Sequence, residues 1–323
     1  MTIASVISGI GSYLPERVLT NAQLAQTIET SDAWIRERTG IEKRHIAAEG
    51  ECTSHMAVKA ARAALSNFSI AEGEIVGVVV ATSTPDSTMP SVATMVQAQL
   101  GLPAGPALDV EAACTGFVYA LSVAHGWLLT GLARHVIVIG AETMSRIIDW
   151  TDRSTCILFG DGAGAVVLSA VAESDANGRG IKSFALKAQG EYGTLLGTDG
   201  GISSTRQAGV LFMQGQEVYR HGVEKMSIIT LEALERTSYG LADIDWVVPH
   251  QANARMIQAI AKRLGAAEEK MVVAVTQHGN TSAASIPLAL AVAVADGRIT
   301  QGQLVAMPAL GAGLTWGCCI AVW

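Results

Sequence analysis

Short runs rich in valine and isoleucine recur along the chain, with longer stretches of helical periodicity between them. The runs are VGVVVAT (76–82), HVIVIGA (135–141), GAVVLSA (164–170), DWVVPH (245–250), LVAMPAL (304–310) and CCIAVW (318–323). Continuous apolarity predicts strands buried on both faces, and the stretches between them predict helical crossovers, which together describe an α/β protein. MTIASVISGIGSYLPERV reads as one further strand ending in a turn around Pro15.

The order of these elements repeats. A helical pattern ending at Ala64-Leu65 leads into the strand from Ile75, and another ending at Ala233-Leu234 leads into the strand from Ile244. The apolar helix after Cys114 runs into HVIVIGA much as IPLALAVAVA, after Ser282, runs into LVAMPAL; the glycine-rich GDGAGAVVL and GAGLTWGCCIAV then follow at matching places. Such repetition predicts two duplicated halves, 1–172 and 173–323. In a pseudo-twofold body, the helix starts at Cys114 and Ser282 are expected to face one another, and an active site is expected between them.

Composition agrees with a large folded body: of 323 residues 50% are hydrophobic and only 16% charged. No Pro/Ser/Gly-rich linker divides the halves, so they should pack closely. The start lacks the cationic segment of a leader, and the longest apolar stretch, Ile286 to Ala295, is too short to span a bilayer, which predicts a soluble protein without membrane insertion. Five cysteines (Cys52, Cys114, Cys156, Cys318, Cys319) show neither CxxC spacing nor an even count. That argues against a metal site or disulfide framework and for a reducing cytoplasm. A net charge of -7 and a pI near 5.5 argue against non-specific nucleic-acid binding.

Among the cysteines, Cys114 stands out in DVEAACTGFVYAL, between a β-like run and an apolar helix. At a helix N-terminus, free N–H groups and the helix dipole are expected to favour a thiolate. The other four read as structural. His250 ends the run DWVVPH and precedes Gln251 and Asn253 in a strand-to-helix turn, the edge where α/β sheets bind ligands; a helix-capping role is the alternative. Asn280, in HGNTSAAS, is a neutral donor in a tight turn, and it too reads otherwise as a cap. His125 and His135 look structural, His278 sits close enough to Asn280 to support it, and His45, His55 and His221 suggest only packing or surface roles. GDGAGA (160–165) lacks the Walker lysine and the full dinucleotide fingerprint and runs into a strand, so close packing explains its glycines better than phosphate binding.

Taken together, ACTGF, HQANARM and GNTSAAS, with GIGSYLPERVLTN, SDAWIRERTGI, DWTDRSTCILFGDGAGAVVL and the final GAGLTWG, resemble the β-ketoacyl-acyl-carrier-protein synthase III family of the thiolase superfamily over essentially the whole chain. The resemblance implies a thiolase-like fold of five layers, αβαβα. It also implies an acyltransferase that condenses an acyl-CoA primer, acetyl-CoA in the first instance, with malonyl-acyl carrier protein to begin fatty acid biosynthesis. A related Cys-His-Asn ketosynthase of secondary metabolism, using another primer or malonyl-CoA, is the alternative. A cysteine hydrolase fits less well, since no papain-like or caspase-like signature surrounds Cys114.

By the same resemblance, Cys114, His250 and Asn280 are catalytic, and backbone N–H groups of Cys114, Ala312 and Gly313 form an oxyanion hole. Trp34 and Arg153 sandwich the CoA adenine, Arg38 meets phosphate, and Asn253 contacts the pantetheine arm. Phe159, Met213 and Met89 line the acyl pocket, with Met89 reaching across a homodimer into the partner's pocket. Thr115 and Ala312 replace residues more usual in the family, without consequence for the chemistry. No cofactor beyond the CoA and phosphopantetheine thioesters is implied. The acidic carrier protein is expected to dock on Arg255, Lys262 and Arg263, which share one helix face, with Arg220 and Lys225 beside them.

Overall fold

Continuous apolar runs become the inner strands of two sheets. The structure, a computed structural model, describes residues 2–66 and 68–323. In chain order come β1 (Ile3–Tyr13), β2 (Arg17–Thr20), α1 (Asn21–Leu24), α2 (Asp32–Thr39), β3 (Lys43–Ile46), α3 (Thr53–Leu65), β4 (Val76–Ala81), α4 (Val92–Leu100), β5 (Ala107–Val110), α5 (Gly116–Leu129), β6 (His135–Thr143), α6 (Arg153–Cys156) and β7 (Asp161–Ala172). Next are β8 (Gly180–Ala188), β9 (Leu196–Thr198), β10 (Leu211–Met213), α7 (Gly215–Leu234), β11 (Trp246–Val247), α8 (Ala254–Leu264), α9 (Val275–His278), α10 (Ser285–Ala295), β12 (Leu304–Gly311) and β13 (Thr315–Val322).

The first sheet has the order β1-β7-β6-β4-β5 and the second β8-β13-β12-β11. Place for place, the pairings agree. β7 is antiparallel to β1 and β6 as β13 is to β8 and β12, and β4 is parallel to β6 as β11 is to β12. The fifth place also has a counterpart, a parallel bridge from Val247 to Met271.

Helices α3 and α4 cover the outer face of the first sheet, and α7 covers that of the second, with α8 packed on it. Between the sheets lie α5 and α10, sharing a core with Val79, Val138 and Val166 on one side and Met307, Ala309 and Cys319 on the other. The sequence dictates which helix goes where. α10, SIPLALAVAVA, has no charged face and suits only an inner layer, whereas α8 turns Met256, Ile257, Ile260 and Leu264 inward and leaves Arg255, Lys262 and Arg263 exposed. The result is the five-layered thiolase-like arrangement.

The glycines of GDGAGA are packing devices within β7. A Cβ on Gly164 would lie 2.8 Å from Pro287 and Leu288 of α10, and one on Gly140 of β6 would lie 2.2 Å from the Ala283 carbonyl. DWVVPH differs from expectation, since only Trp246–Val247 is regular strand. Pro249 cannot donate to a ladder, although Val248 and His250 still donate N–H to Ala306 and Pro308. Among the described residues no helix is long and apolar enough to cross a membrane.

Candidate active site

Two strained turns meet between the sheets. Cys114 lies in the 3-10 turn Ala113–Thr115, ahead of α5, and a second turn, Ser282–Ala284, precedes α10. Each has a non-glycine residue in the left-handed region, Ala113 at φ 45° and Ser282 at φ 48°, a conformation that persists only where surrounding packing enforces it. The turns touch each other. The facing expected of Cys114 and Ser282 is therefore present.

His250 is buried, and its ring is oriented by Ser285, the first residue of α10. Nδ1 lies 2.7 Å from the Ser285 hydroxyl, which accepts the Gln251 backbone N–H at 3.3 Å. Among the described residues Nδ1 is the one acceptor within reach of the hydroxyl hydrogen, so the arrangement that leaves neither group unpaired has Ser285 donating to Nδ1 and the neutral ring carrying its own hydrogen on Nε2. Gln251 is itself structural: Oε1 accepts from Ala274 and Val275, while Nε2 donates to Pro249 and Val272. Asn280 uses Oδ1 to accept the Ser282 N–H at 2.9 Å, leaving Nδ2 as a free donor. Both readings of this asparagine hold at once: it caps a turn and presents an amide.

Cys114, His250 and Asn280 all line one cavity of about 780 Å³, together with Phe159, Met213, Ala312 and Asn253. Asn253 caps α8 through Oδ1 to the Met256 N–H at 2.8 Å. At the outer end are Trp34 and Arg38. Both the Arg38 and Arg153 guanidiniums stack on the Trp34 ring, 4.5 and 4.6 Å from its centroid; Arg153 itself does not line the cavity. The turn after β12 abuts the nucleophile, since a Cβ on Gly311 would lie 2.8 Å from the Cys114 backbone nitrogen.

Ala312 lines the cavity, and Gly313 follows it in the same turn between β12 and β13. Met89 is 79% exposed and lies outside this chain's own cavity. Arg220 is tied to Glu217 at 2.6 Å, and Lys225 lies over the Trp316 ring at 4.0 Å and bonds Gln189; neither is a free surface cation. His221 packs against Tyr192, buried, one of the two roles its sequence context suggests. The thiol differs from the thiolate expected at a helix start. Burial pushes Cys114 up to about 12 and lowers His250 to about 3. The resting pair is a neutral thiol and a neutral imidazole.

Burial also lowers His278 to about 4 and raises the wholly buried Glu142, which accepts from Ser83 and Thr84, to about 7. The two histidines bind protons less readily folded than unfolded, so stability fully present above their ordinary value of 6.5 is lost as pH falls through their folded values. Glu142 acts oppositely, adding stability as pH falls from 7 toward its ordinary 4.5. Two groups outweigh one. The midpoint of urea unfolding is expected to drop between about pH 6.5 and 5, and more steeply in Glu142→Gln; a midpoint that rises on acidification contradicts the balance.

Thiol, imidazole donor and amide donor at the floor of one cavity, in this layered fold, define a condensing acyltransferase of the thiolase class. Family models described as "3-Oxoacyl-[acyl-carrier-protein (ACP)] synthase III" and its "C terminal" match residues 108–190 and 234–323. A beta-ketoacyl-[acyl-carrier-protein] synthase III of Roseobacter denitrificans is 54% identical, with both chains covered in full. Crystal structures of the synthases III of Aquifex aeolicus and Thermus thermophilus superpose with a TM-score of 0.92 each, at 42% and 44% identity; 99% of this chain is covered in each case, with 100% and 99% of theirs. The chain belongs to the β-ketoacyl-acyl-carrier-protein synthase III family.

Proposed function

We propose that Cys114, His250 and Asn280 perform a decarboxylative Claisen condensation between an acyl-CoA primer, acetyl-CoA in the first instance, and malonyl-acyl carrier protein. The products are 3-ketoacyl-acyl carrier protein, CoA and CO2, and the step begins fatty acid synthesis. The observation that carries the residue assignment is the convergence of the Cys114 thiol with two neutral donors, His250 Nε2 and Asn280 Nδ2, on one cavity.

The Cys114 sulfur attacks the primer thioester as a thiolate formed as its proton leaves, and that proton ends on the departing CoA sulfur, so the exchange leaves no net charge in the site. One thioester replaces another, and the exchange is nearly balanced without further energy input. Malonyl thioester then enters. As CO2 departs, charge develops on the thioester oxygen, where the two preoriented N–H donors stabilise the enolate. Its carbon attacks the acyl group on Cys114, the tetrahedral oxyanion is held by backbone N–H groups from among Cys114, Ala312 and Gly313, and collapse releases the product and the thiol. Trp34, Arg38, Arg153 and Asn253 hold CoA; Phe159 and Met213 bound the acyl chain. The halves 1–172 and 173–323 contribute Cys114 and the His-Asn pair respectively.

A homodimer accounts for two features of the first half: the edge strand β5, and Met89, an apolar side chain left 79% exposed, which would complete the partner's acyl pocket. Carrier protein docks on α8, where Arg255, Lys262 and Arg263 are exposed and, among the described residues, form no ion pair. The charge-reversing pair Arg255→Glu and Lys262→Glu is expected to raise the KM for malonyl-acyl carrier protein about tenfold and flatten its salt dependence. Acylation by free acetyl-CoA should change little. Equal losses with both substrates would move the docking site. Comparing malonyl-acyl carrier protein with malonyl-CoA across a series of primers tests the function itself: turnover with malonyl-CoA alone refutes it.

A further inference from the structure

A charged side chain with no counter-charge lies beneath the Asn280 segment. Arg44, on β3, is fully buried and, among the described residues, makes no ion pair. Burial lowers it to about 10, so it remains a cation near neutrality. Its fork meets neutral oxygens only. One terminal nitrogen donates to Asn21 Oδ1 at 2.8 Å and to the Leu19 carbonyl at 3.2 Å; the other donates to the Ile157 carbonyl at 2.6 Å, and Nε has no partner. Burying an unpaired cation costs several kcal/mol. Packing alone gives no reason to keep a guanidinium here rather than an apolar side chain.

What the fork grips suggests the reason. Ile157 opens the segment 157–160, which pairs with Asn280: Leu158 accepts the Asn280 N–H at 2.8 Å, and Gly160 donates its N–H to the Asn280 carbonyl at 3.0 Å. Both paired segments also rest on the Arg44 stem, because a Cβ on Gly160 or Gly279 would lie 2.9 or 3.0 Å from the Arg44 Cβ. On its other side, Asn21 donates to Asp32 at the start of α2, the helix that carries Trp34 and Arg38. One guanidinium thus spans the wall bearing Phe159 and Asn280 and the framework of the cavity's outer end.

We infer that Arg44 is a positioning residue for the malonyl step: it fixes the 157–160 segment, and through the bridge to that segment it sets where the Asn280 amide points. The inference rests on the role assigned above to Asn280. Arg44→Lys keeps the charge but cannot reach Asn21, Leu19 and Ile157 together. Asn21→Ala leaves Arg44 in place and removes one anchor of the fork, in case the first variant folds poorly. In each, malonyl decarboxylation is expected to lose at least about tenfold in kcat with little change in KM, while acylation of Cys114 by acetyl-CoA stays within about threefold. Hydrogen exchange at the Gly160 and Asn280 amides should accelerate about tenfold relative to amides of β12. Unchanged exchange at those two amides overturns the inference, as does a parallel loss of both half-reactions tracking a lower Tm. Asn280→Ala serves as the control. If it retains decarboxylation, the role of Asn280 fails, and the exchange measurement alone then decides whether Arg44 positions the segment.

Discussion

Cys114→Ala is expected to lower condensation by on the order of 10⁴-fold or more while leaving part of the malonyl decarboxylation intact. The thiol is the group that takes the acyl chain, and no other cysteine can substitute, because Cys52, Cys156, Cys318 and Cys319 do not line the cavity. Decarboxylation draws on different atoms, His250 Nε2 and Asn280 Nδ2, which the substitution leaves in place. Incubation with isotopically labelled acetyl-CoA followed by peptide mass mapping reads the first half-reaction directly. Label on Cys156 or Cys319, with Cys114 unmodified, would end this assignment.

His250→Ala should give the complementary result. Decarboxylation loses one of its two enolate donors, a loss of about 10²- to 10³-fold, while acylation of Cys114 persists within about an order of magnitude. The second half of that statement follows from protonation. An imidazole lowered to about 3, with its hydrogen on Nε2, is a donor and not the base that takes the Cys114 proton. Measuring burst acylation and CO2 release separately in each purified variant distinguishes the roles; equal loss of both activities in both variants contradicts them.

Much of this was legible before any coordinates. Continuous runs such as HVIVIGA could only be doubly buried strands, and the recurrence of helix, strand and glycine-rich turn foretold two sheets whose strand orders correspond. Cys114, His250 and Asn280 stood out because each sits where a strand or tight turn meets a helix. What stayed hidden depends on long-range contact. The hydroxyl of Ser285 looks like any residue at a helix start until the ring of His250, remote in sequence, closes on it. The protonation of Cys114 was misjudged for the same reason: helix position is local, whereas desolvation depends on the second half folding over it. Arg44, in KRHI, carries no local mark of its role, which shows only in its bond to Ile157. The hairpins β2/β3 and β9/β10 are short and carry no long apolar run to announce them.

The pairing of β1 with β7 has a consequence during synthesis. Ile3 lies opposite Ala172, so during synthesis β1 has no partner until the last strand of its sheet emerges. At about 5–20 residues per second, that delay is roughly 10–30 s. The second sheet waits similarly, because Gly180 lies opposite Val322 and the late strand β13 is an inner one. Throughout this interval an apolar strand edge is available to chaperones and to other nascent chains. Yield of soluble protein should therefore depend on translation speed and chaperone supply more than on the stability of the finished fold.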